Sequence, residues 1–316
     1  MEVRILLKRV LFIWVMVAIL VTCFGNISIA QSNAGRTAAD FLSIGVSARA
    51  AGMGGAFTSV SEGAPAAYWN PAGLTTVEGG EVLLGHLDWY QDLSLEHGTL
   101  AKQINENSTL AFSMTYLNYG TINRYDNNGL QLADDITAYD WAGAVSFGIN
   151  TNENFSVGVT LKYINQKLDD LSASALAGDL GFKYQADRFA LAGFLGNLGT
   201  KMKFDTVEEK LPATARFGVS FYPFSSNFIT AIEAEKNFDG NMIVRNGFEF
   251  NYNHQYFLRS GYNYYPDQTE RSFGSGISFG AGFKHKVAEI DYAFSTSDKY
   301  SDDGIHRFSL VFKFGQ

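Results

Sequence analysis

The sequence predicts an all-β protein: a transmembrane antiparallel up-and-down β-barrel of about fourteen strands with a small N-terminal plug. Three observations favour this fold. Apolar and small or polar residues alternate with a period of two from Glu81 onward, and short connections alternate with longer ones over the same region. Charged residues make up only 18% of the chain, whereas a soluble domain normally carries about a quarter.

The N-terminus is typical of a secretory signal peptide, which we place at residues 1–30. Cationic residues precede an apolar run, and small residues precede the expected cleavage site: Arg4, Lys8 and Arg9, then 10–24, then Ser28-Ile29-Ala30. Cleavage after Ala30 would remove Cys23, the only cysteine, and with it any disulfide or thiolate metal site. The alternative is a lipoprotein signal with a lipidated Cys23, a site that Thr22 fits poorly.

Residues 31–80 are rich in glycine and alanine and have no period-two stretch of useful length. Small side chains allow close packing, so we interpret this segment as a plug inside the barrel. Short helical turns are expected near Thr37–Leu42 and Ala64–Trp69. The remaining residues, 81–316, form the barrel domain in this prediction.

The period-two pattern is plain in residues 108–117, where Leu110, Phe112 and Met114 share one face of a strand. Small and polar side chains occupy the other face. The same reasoning along the chain predicts strands near 81–90, 93–103, 107–118, 138–150, 154–166, 174–185, 187–197, 212–223, 226–237, 242–252, 254–264, 272–284, 287–297 and 304–314. Each is long enough to cross a bilayer when tilted.

The connections indicate which membrane the barrel crosses. Outer-membrane barrels of Gram-negative bacteria have short periplasmic turns and longer outer loops. The predicted connections follow this order, with longer ones at 118–137, 167–173, 199–211, 265–271 and 297–303. Two outer connections, near Asp92 and at Asp239-Gly240, are short exceptions. We therefore expect outer-membrane lipid as the surroundings of the barrel, since a soluble β-sandwich would not require this alternation.

Charged residues fall on the strand face opposite the aromatic one, which is the lumen face if the aromatic face meets lipid. Cross-strand pairing is expected among Arg216, Glu233, Glu235, Arg245, Glu249, Arg259, Glu289, Asp291 and Arg307. One interpretation is a rigid, filled barrel. The other is a conduit that binds or conducts a polar solute.

Other function classes lack support in the sequence. A net charge of -8 argues against nucleic acid as a partner, because phosphate binding requires a basic surface. The five histidines are scattered without metal-ligand spacing. We find no convergent set of catalytic residues, so we expect no enzyme activity, no cofactor and no metal.

Two N-terminal segments are distinctive: 41–57, FLSIGVSARAAGMGGAF, and 67–74, AYWNPAGL. They resemble the PorV/PorQ family, which belongs to the wider group around FadL, the long-chain fatty acid transporter. The resemblance implies a FadL-like barrel of about fourteen strands with an N-terminal hatch that carries an Asn-Pro-Ala motif. The hatch residues expected to have a structural or gating role are Arg49, Gly52, Gly54, Gly55, Asn70, Pro71, Ala72 and Gly73.

The resemblance implies two functions. Members of the family include type IX secretion components, whose partners are secreted cargo proteins and other parts of the secretion system. The alternative is a FadL-like channel, porin-like in fold, for transport of small hydrophobic molecules across the outer membrane. A purely structural barrel is a third interpretation that the sequence leaves open.

Overall fold

A computed structural model describes residues 37–89, 93–126, 128–223, 227–266, 276–296 and 304–315. The predicted signal peptide, its cleavage site and Cys23 lie outside the described residues. The predicted strand starting at 272 is described from Gly276 onward.

Fourteen antiparallel strands close into one barrel, and they follow one another around the wall in chain order. The predicted fold class is confirmed. The barrel strands are β1 (Gly80–Asp88), β2 (Ser94–Asn105), β3 (Ser108–Asn118), β6 (Ala138–Asn152), β7 (Phe155–Leu168), β8 (Leu171–Gln185), β9 (Phe189–Gly199), β12 (Thr214–Phe221), β13 (Phe228–Asn237), β14 (Met242–Tyr252), β15 (Tyr256–Tyr264), β16 (Ile277–His285), β17 (Ala288–Ser295) and β18 (Ile305–Phe314).

Two small hairpins lie in the connections and were not predicted. They are β4 (Ile122–Tyr125) with β5 (Gln131–Ile136), and β10 (Met202–Phe204) with β11 (Val207–Glu209). The predicted longer connection at 167–173 is wrong. Strands β7 and β8 continue until Leu168 pairs with Leu171, which leaves only the turn residues Asp169 and Asp170.

The barrel wall has an apolar outer face because its large side chains project outward at alternate positions. Phe112, Met114 and Leu161 are more than half exposed, whereas Ala111, which directly precedes Phe112, is fully buried. In a membrane this outer face meets hydrocarbon rather than water. None of the described helices is long and apolar enough to span a bilayer.

The plug, residues 37–79, lies inside the barrel. It consists of a 3₁₀ turn at Asp40–Ser43, a helix at Ala48–Gly52, a helix at Ala66–Trp69 and a 3₁₀ helix at Pro71–Thr76. Helical turns were expected near the first and third of these elements, while the other two were not predicted. Side chains on all sides of the plug are buried, Phe57, Met53 and Leu74 completely.

Candidate functional site: the plug and the lumen

The Asn-Pro-Ala motif lies against a bare patch on the barrel wall. Gly148, Gly158 and Gly181 are neighbours in register on three successive strands, β6, β7 and β8. A β-carbon added at Gly148 or Gly158 would collide with the Pro71 carbonyl group, and one at Gly181 would collide with the Asn70 side chain. The three glycines, which we call the first glycine row, therefore make the seat of the motif.

Asn70 connects the plug to this wall through its side-chain amide. Its Nδ2 donates to the carbonyl oxygen of Thr58, at 3.2 Å, and to that of Phe182 on β8, at 3.0 Å. Its Oδ1 accepts from the backbone N–H of Ala72, which caps the 3₁₀ helix Pro71–Thr76. Asn70 is completely buried, so each of these bonds satisfies a group that water cannot reach.

Gly52 and Gly54 of the plug contact a second part of the wall that consists of glycine residues. Gly52 approaches Gly280 on β16, and Gly54 approaches Gly261 on β15. We call Gly247, Gly261 and Gly280, on successive strands β14 to β16, the second glycine row. Gly54 and Gly55 have φ of 66° and 77°, a conformation that favours glycine.

Gly73 serves a contact within the plug. A β-carbon there would overlap the carbonyl oxygen of Ser61. That oxygen also accepts from Lys183 Nζ on β8, at 2.9 Å. Gly73 thus permits close packing against Ser61, whose carbonyl oxygen binds Lys183 of the wall.

A chain of ion pairs, largely buried except at the half-exposed Glu62, holds the plug to the wall near the end of the barrel with the short turns. Arg49 binds Glu249 through two bonds of 2.8 Å, Nε to Oε2 and Nη2 to Oε1, and also contacts Glu62 of the plug. Glu249 is shared with Arg259, whose Nε lies 2.6 Å from Oε2. Arg259 in turn contacts Asp291 and, at 3.4 Å, Glu289. We call these six residues the plug clamp.

Two further wall carboxylates accept hydrogen bonds from plug backbone groups. Glu233 accepts from the N–H groups of Phe57, at 3.1 Å, and Thr58, at 2.8 Å. Glu81 accepts from the N–H of Ala64 at 2.9 Å and pairs with Lys313 at 2.7 Å. Strands β1 and β18, which carry Glu81 and Lys313, close the barrel.

A cavity of about 350 Å³ lies between the plug and the end of the barrel with the longer connections. Trp69 and the Gly54-Gly55 pair of the plug line one side of it, and Arg216, Arg245 and Arg307 line the wall. We call it the upper cavity. Its volume is within the range of about 300–1,000 Å³ that is usual for small-ligand sites.

The three arginines of the upper cavity differ in their partners. Arg245 pairs with Glu235 at 2.7 Å and lies 3.6 Å from Glu233. Arg216 packs its guanidinium over the Phe194 ring, 4.1 Å from the centroid. Arg216 and Arg307 each have a buried Nε without a hydrogen-bond partner, and neither forms an ion pair within the part of the chain that the structure describes.

The plug also supplies a tyrosine to the upper cavity. Enclosure in the barrel raises the pKa of Tyr68 to about 12, so its hydroxyl stays protonated at physiological pH. The hydroxyl donates to the carbonyl oxygen of Leu42 at 2.9 Å. Tyr68 therefore acts as a neutral donor on this surface and adds no negative charge.

The charged lumen residues expected from the sequence thus divide into two groups. Glu249, Arg259, Glu289 and Asp291 lie in the plug clamp, whereas Arg216, Glu235, Arg245 and Arg307 line the upper cavity. Glu233 contacts the plug backbone between them. The sequence reasoning missed Glu62 and Glu81, although Glu81 shares the lumen face of β1 with Leu83 and Leu87.

Among the described residues, no group of three or more histidine, cysteine, aspartate or glutamate side chains is arranged to hold a metal ion. His97 on β2, for example, hydrogen-bonds the hydroxyl groups of Thr99 and Thr115.

Comparisons with known proteins agree with this architecture. The family described as type IX secretion system protein PorV matches residues 28–245. A comparison with curated proteins finds no match.

Several solved structures share the fold. The toluene transporter TodX of P. putida is 14% identical, with 86% of this chain and 99% of that chain covered and a TM-score of 0.61. The CymD monoaromatic hydrocarbon channel is 15% identical, with 86% and 98% covered and a TM-score of 0.61. A FadL homologue of Pseudomonas aeruginosa is 13% identical, with 86% and 99% covered and a TM-score of 0.57. At such identities the likeness shows the fold alone.

Proposed function

The chain belongs to the PorV family of type IX secretion system proteins, and on that premise we propose that this outer-membrane barrel assists protein export. In this proposal the end with the longer connections faces the cell exterior and receives exported cargo proteins, in contact with other components of the secretion system. PorV and FadL-type barrels are transport or secretion proteins rather than enzymes, so the proposal includes no catalytic step.

The plug clamp is the observation that carries this proposal. Arg49 joins the plug to Glu249 of the wall, and Arg259 continues the chain to Asp291. Removing one partner from a buried ion pair costs about 3–5 kcal/mol, so movement of the plug out of this seat is expensive. A barrel whose lumen is closed in this way is better suited to binding a protein at its mouth than to conducting a solute.

Deletion of the gene in the native bacterium tests the export role. Cargo proteins are expected to accumulate in the periplasm, and wild-type protein supplied on a plasmid is expected to restore their secretion. A tagged copy purified from native outer membranes is expected to retain the same cargo proteins. Normal secretion in the deletion strain would rule the proposal out.

The second candidate is a channel for small hydrophobic molecules, favoured by the fold shared with the toluene transporter TodX and the CymD monoaromatic hydrocarbon channel. The charged lining of the upper cavity, with Arg216, Arg245 and Glu235, argues against it. Growth of the deletion strain on toluene or a long-chain fatty acid separates the candidates. A selective growth defect with normal secretion would favour the channel, and no defect of either kind would favour a structural barrel.

A further inference from the structure

The upper cavity contains more positive charge than its surroundings neutralise. The cations on its lining are Lys162, Arg216, Arg245 and Arg307. Three carboxylates pair with these cations. Asp179 pairs with Lys162 at 2.7 Å, and Glu233 and Glu235 both lie near Arg245. One positive charge is left over within the described residues, and it falls on Arg216 and Arg307.

These two arginines line the cavity from different parts of the barrel wall. Arg216 lies on β12 and Arg307 on β18, and these strands are six positions apart around a ring of fourteen. Both side chains line the same space of about 350 Å³. Two parts of the wall therefore each present a guanidinium to that space.

Arg216 forms no ion pair within 4 Å among the described residues, although Glu233 and Glu235 on the neighbouring strand attract its charge. The residue is only 7% exposed, and its Nε makes no hydrogen bond among the described residues. Its flat face is covered by Phe194, with the Trp69 ring 5.1 Å away. A guanidinium stacked in this way can still bind an anion along its edge, where its N–H groups lie in a fork. The Nε of Arg216 itself is buried, so an anion in the cavity would be bound by the part of the guanidinium that lines it.

We propose that the upper cavity binds a single carboxylate group of an exported polypeptide, with Arg216 and Arg307 as its two anchors. This inference rests on the export function proposed above for the choice of a polypeptide as ligand. A surplus of one positive charge matches a monoanion better than a phosphate dianion. Phe194, Trp69 and Tyr68 also line the cavity, so the residue that bears the carboxylate would lie beside aromatic side chains.

The test uses purified full-length barrel in detergent micelles and a small peptide probe. The probe is N-acetyl-Gly-Phe-Gly with a free C-terminal carboxylate, and its control is the same peptide as the C-terminal amide. Ligand-observed NMR gives the dissociation constants. We expect the amide to bind at least about ten-fold more weakly, as loss of one charge-assisted hydrogen bond implies.

Arg216→Gln and Arg307→Gln test the anchors. Each is expected to weaken binding of the free acid by about ten-fold or more. Lys201→Gln is the matched control, because it removes one positive charge from an exposed residue that does not line the cavity. Arg216→Lys, which keeps the charge but loses the fork, is expected to weaken binding by a smaller factor. The shift in gel mobility on heating verifies that every variant forms a folded barrel.

Equal binding of acid and amide would overturn the proposal, and so would wild-type affinity in both glutamine variants. Tighter binding of phenyl phosphate than of the carboxylate probe would overturn the assignment to a monoanion. These measurements do not depend on secretion in cells. Probe binding together with normal secretion in the deletion strain would support the site and refute the export role. Absence of probe binding together with failed secretion in the deletion strain would refute the site and leave the export role supported.

Discussion

Arg49 of the plug and Glu249 of strand β14 are joined by two hydrogen bonds of 2.8 Å, in the parallel arrangement that matches a guanidinium to a carboxylate. The pair lies at the centre of the plug clamp, because Glu249 also receives Arg259. Glu249 is therefore the one acid in the clamp on which a plug cation and a wall cation converge. The two members of the pair should consequently differ in what their removal costs.

We expect Glu249→Gln to lower the free energy of unfolding by about 3–5 kcal/mol, because it leaves two buried guanidinium groups without their shared charge. Arg49→Gln should cost less, since Glu249 keeps Arg259. Urea unfolding in detergent measures both. A larger loss for Arg49→Gln than for Glu249→Gln would contradict the shared position of Glu249.

Conductance in planar bilayers provides a separate test of the seal. The wild-type barrel is expected to remain closed, and Glu249→Gln is expected to open brief current steps as the plug loosens. Lys201→Gln, an exposed substitution away from the clamp, should behave as wild type. Steady current through the wild-type protein would show that the plug does not close the lumen.

Gly158→Ala is expected to displace the Asn-Pro-Ala motif, because the new β-carbon would collide with Pro71. Overpacking of this kind typically costs about 1–3 kcal/mol. Gly143→Ala is the matched control on a neighbouring strand, where the added carbon meets only Trp141 at an ordinary 3.5 Å. Thermal unfolding of the two variants gives the comparison. Equal transition temperatures would show that the first glycine row is not needed to accommodate the Asn-Pro-Ala motif.

Asn70→Ala should leave the carbonyl groups of Thr58 and Phe182 without their donor. Each unsatisfied buried group costs about 1–3 kcal/mol, so we expect the plug to become sensitive to added protease. Asn107→Ala, at an exposed position in the turn between β2 and β3, is the control. Protease resistance equal in both variants would mean that Asn70 does not hold the plug.

Leu161→Arg tests the membrane-facing surface. Leu161 is 64% exposed on the outer face of β7, where an arginine near the bilayer midplane costs about 2–4 kcal/mol. Val207→Arg is the control, since Val207 is 57% exposed on the β10–β11 hairpin rather than on the barrel. Folding yield into lipid vesicles is expected to fall for the first variant alone. Equal yields would indicate that Leu161 does not contact hydrocarbon.

The barrel could be predicted from the sequence because each strand separates two different environments. On β18, Phe308, Leu310 and Phe312 project outward while Ser309 is buried in the interior. This difference between the two faces appears in the sequence as an alternation with a period of two. Fourteen strands were expected and fourteen form the barrel. The hairpins β4–β5 and β10–β11 were not predicted because they belong to connections, whose residues do not separate a lipid-facing side from an interior side.

The plug could not be predicted in the same detail, because it is enclosed on every side and so lacks a polar face to set a helical period. Ala48–Gly52 forms a helix with Ser47 at a φ of 73° before it, a boundary without a usual capping signal. The glycines of the two rows were visible as small residues on the lumen face. Their nearest contact residues in the plug lie between 77 and 228 positions away in sequence, and spacing does not reveal them.

The sequence predicted which face carries the charges but not how they pair. Arg259 reaches Glu249 and Asp291 on two different strands, which requires knowledge of depth along the barrel. Arg307 lies near the outer end of the same face and contacts neither acid. Strand tilt and register determine these depths, and neither is encoded in the alternation.

Glu81 connects three separate parts of the fold. It lies on the first strand, pairs with Lys313 on the last, and accepts the N–H of Ala64 from the plug. One carboxylate therefore links closure of the barrel to placement of the N-terminal segment inside it. A barrel whose first and last strands paired without the N-terminal segment in place would leave Glu81 without the N–H of Ala64 as a partner.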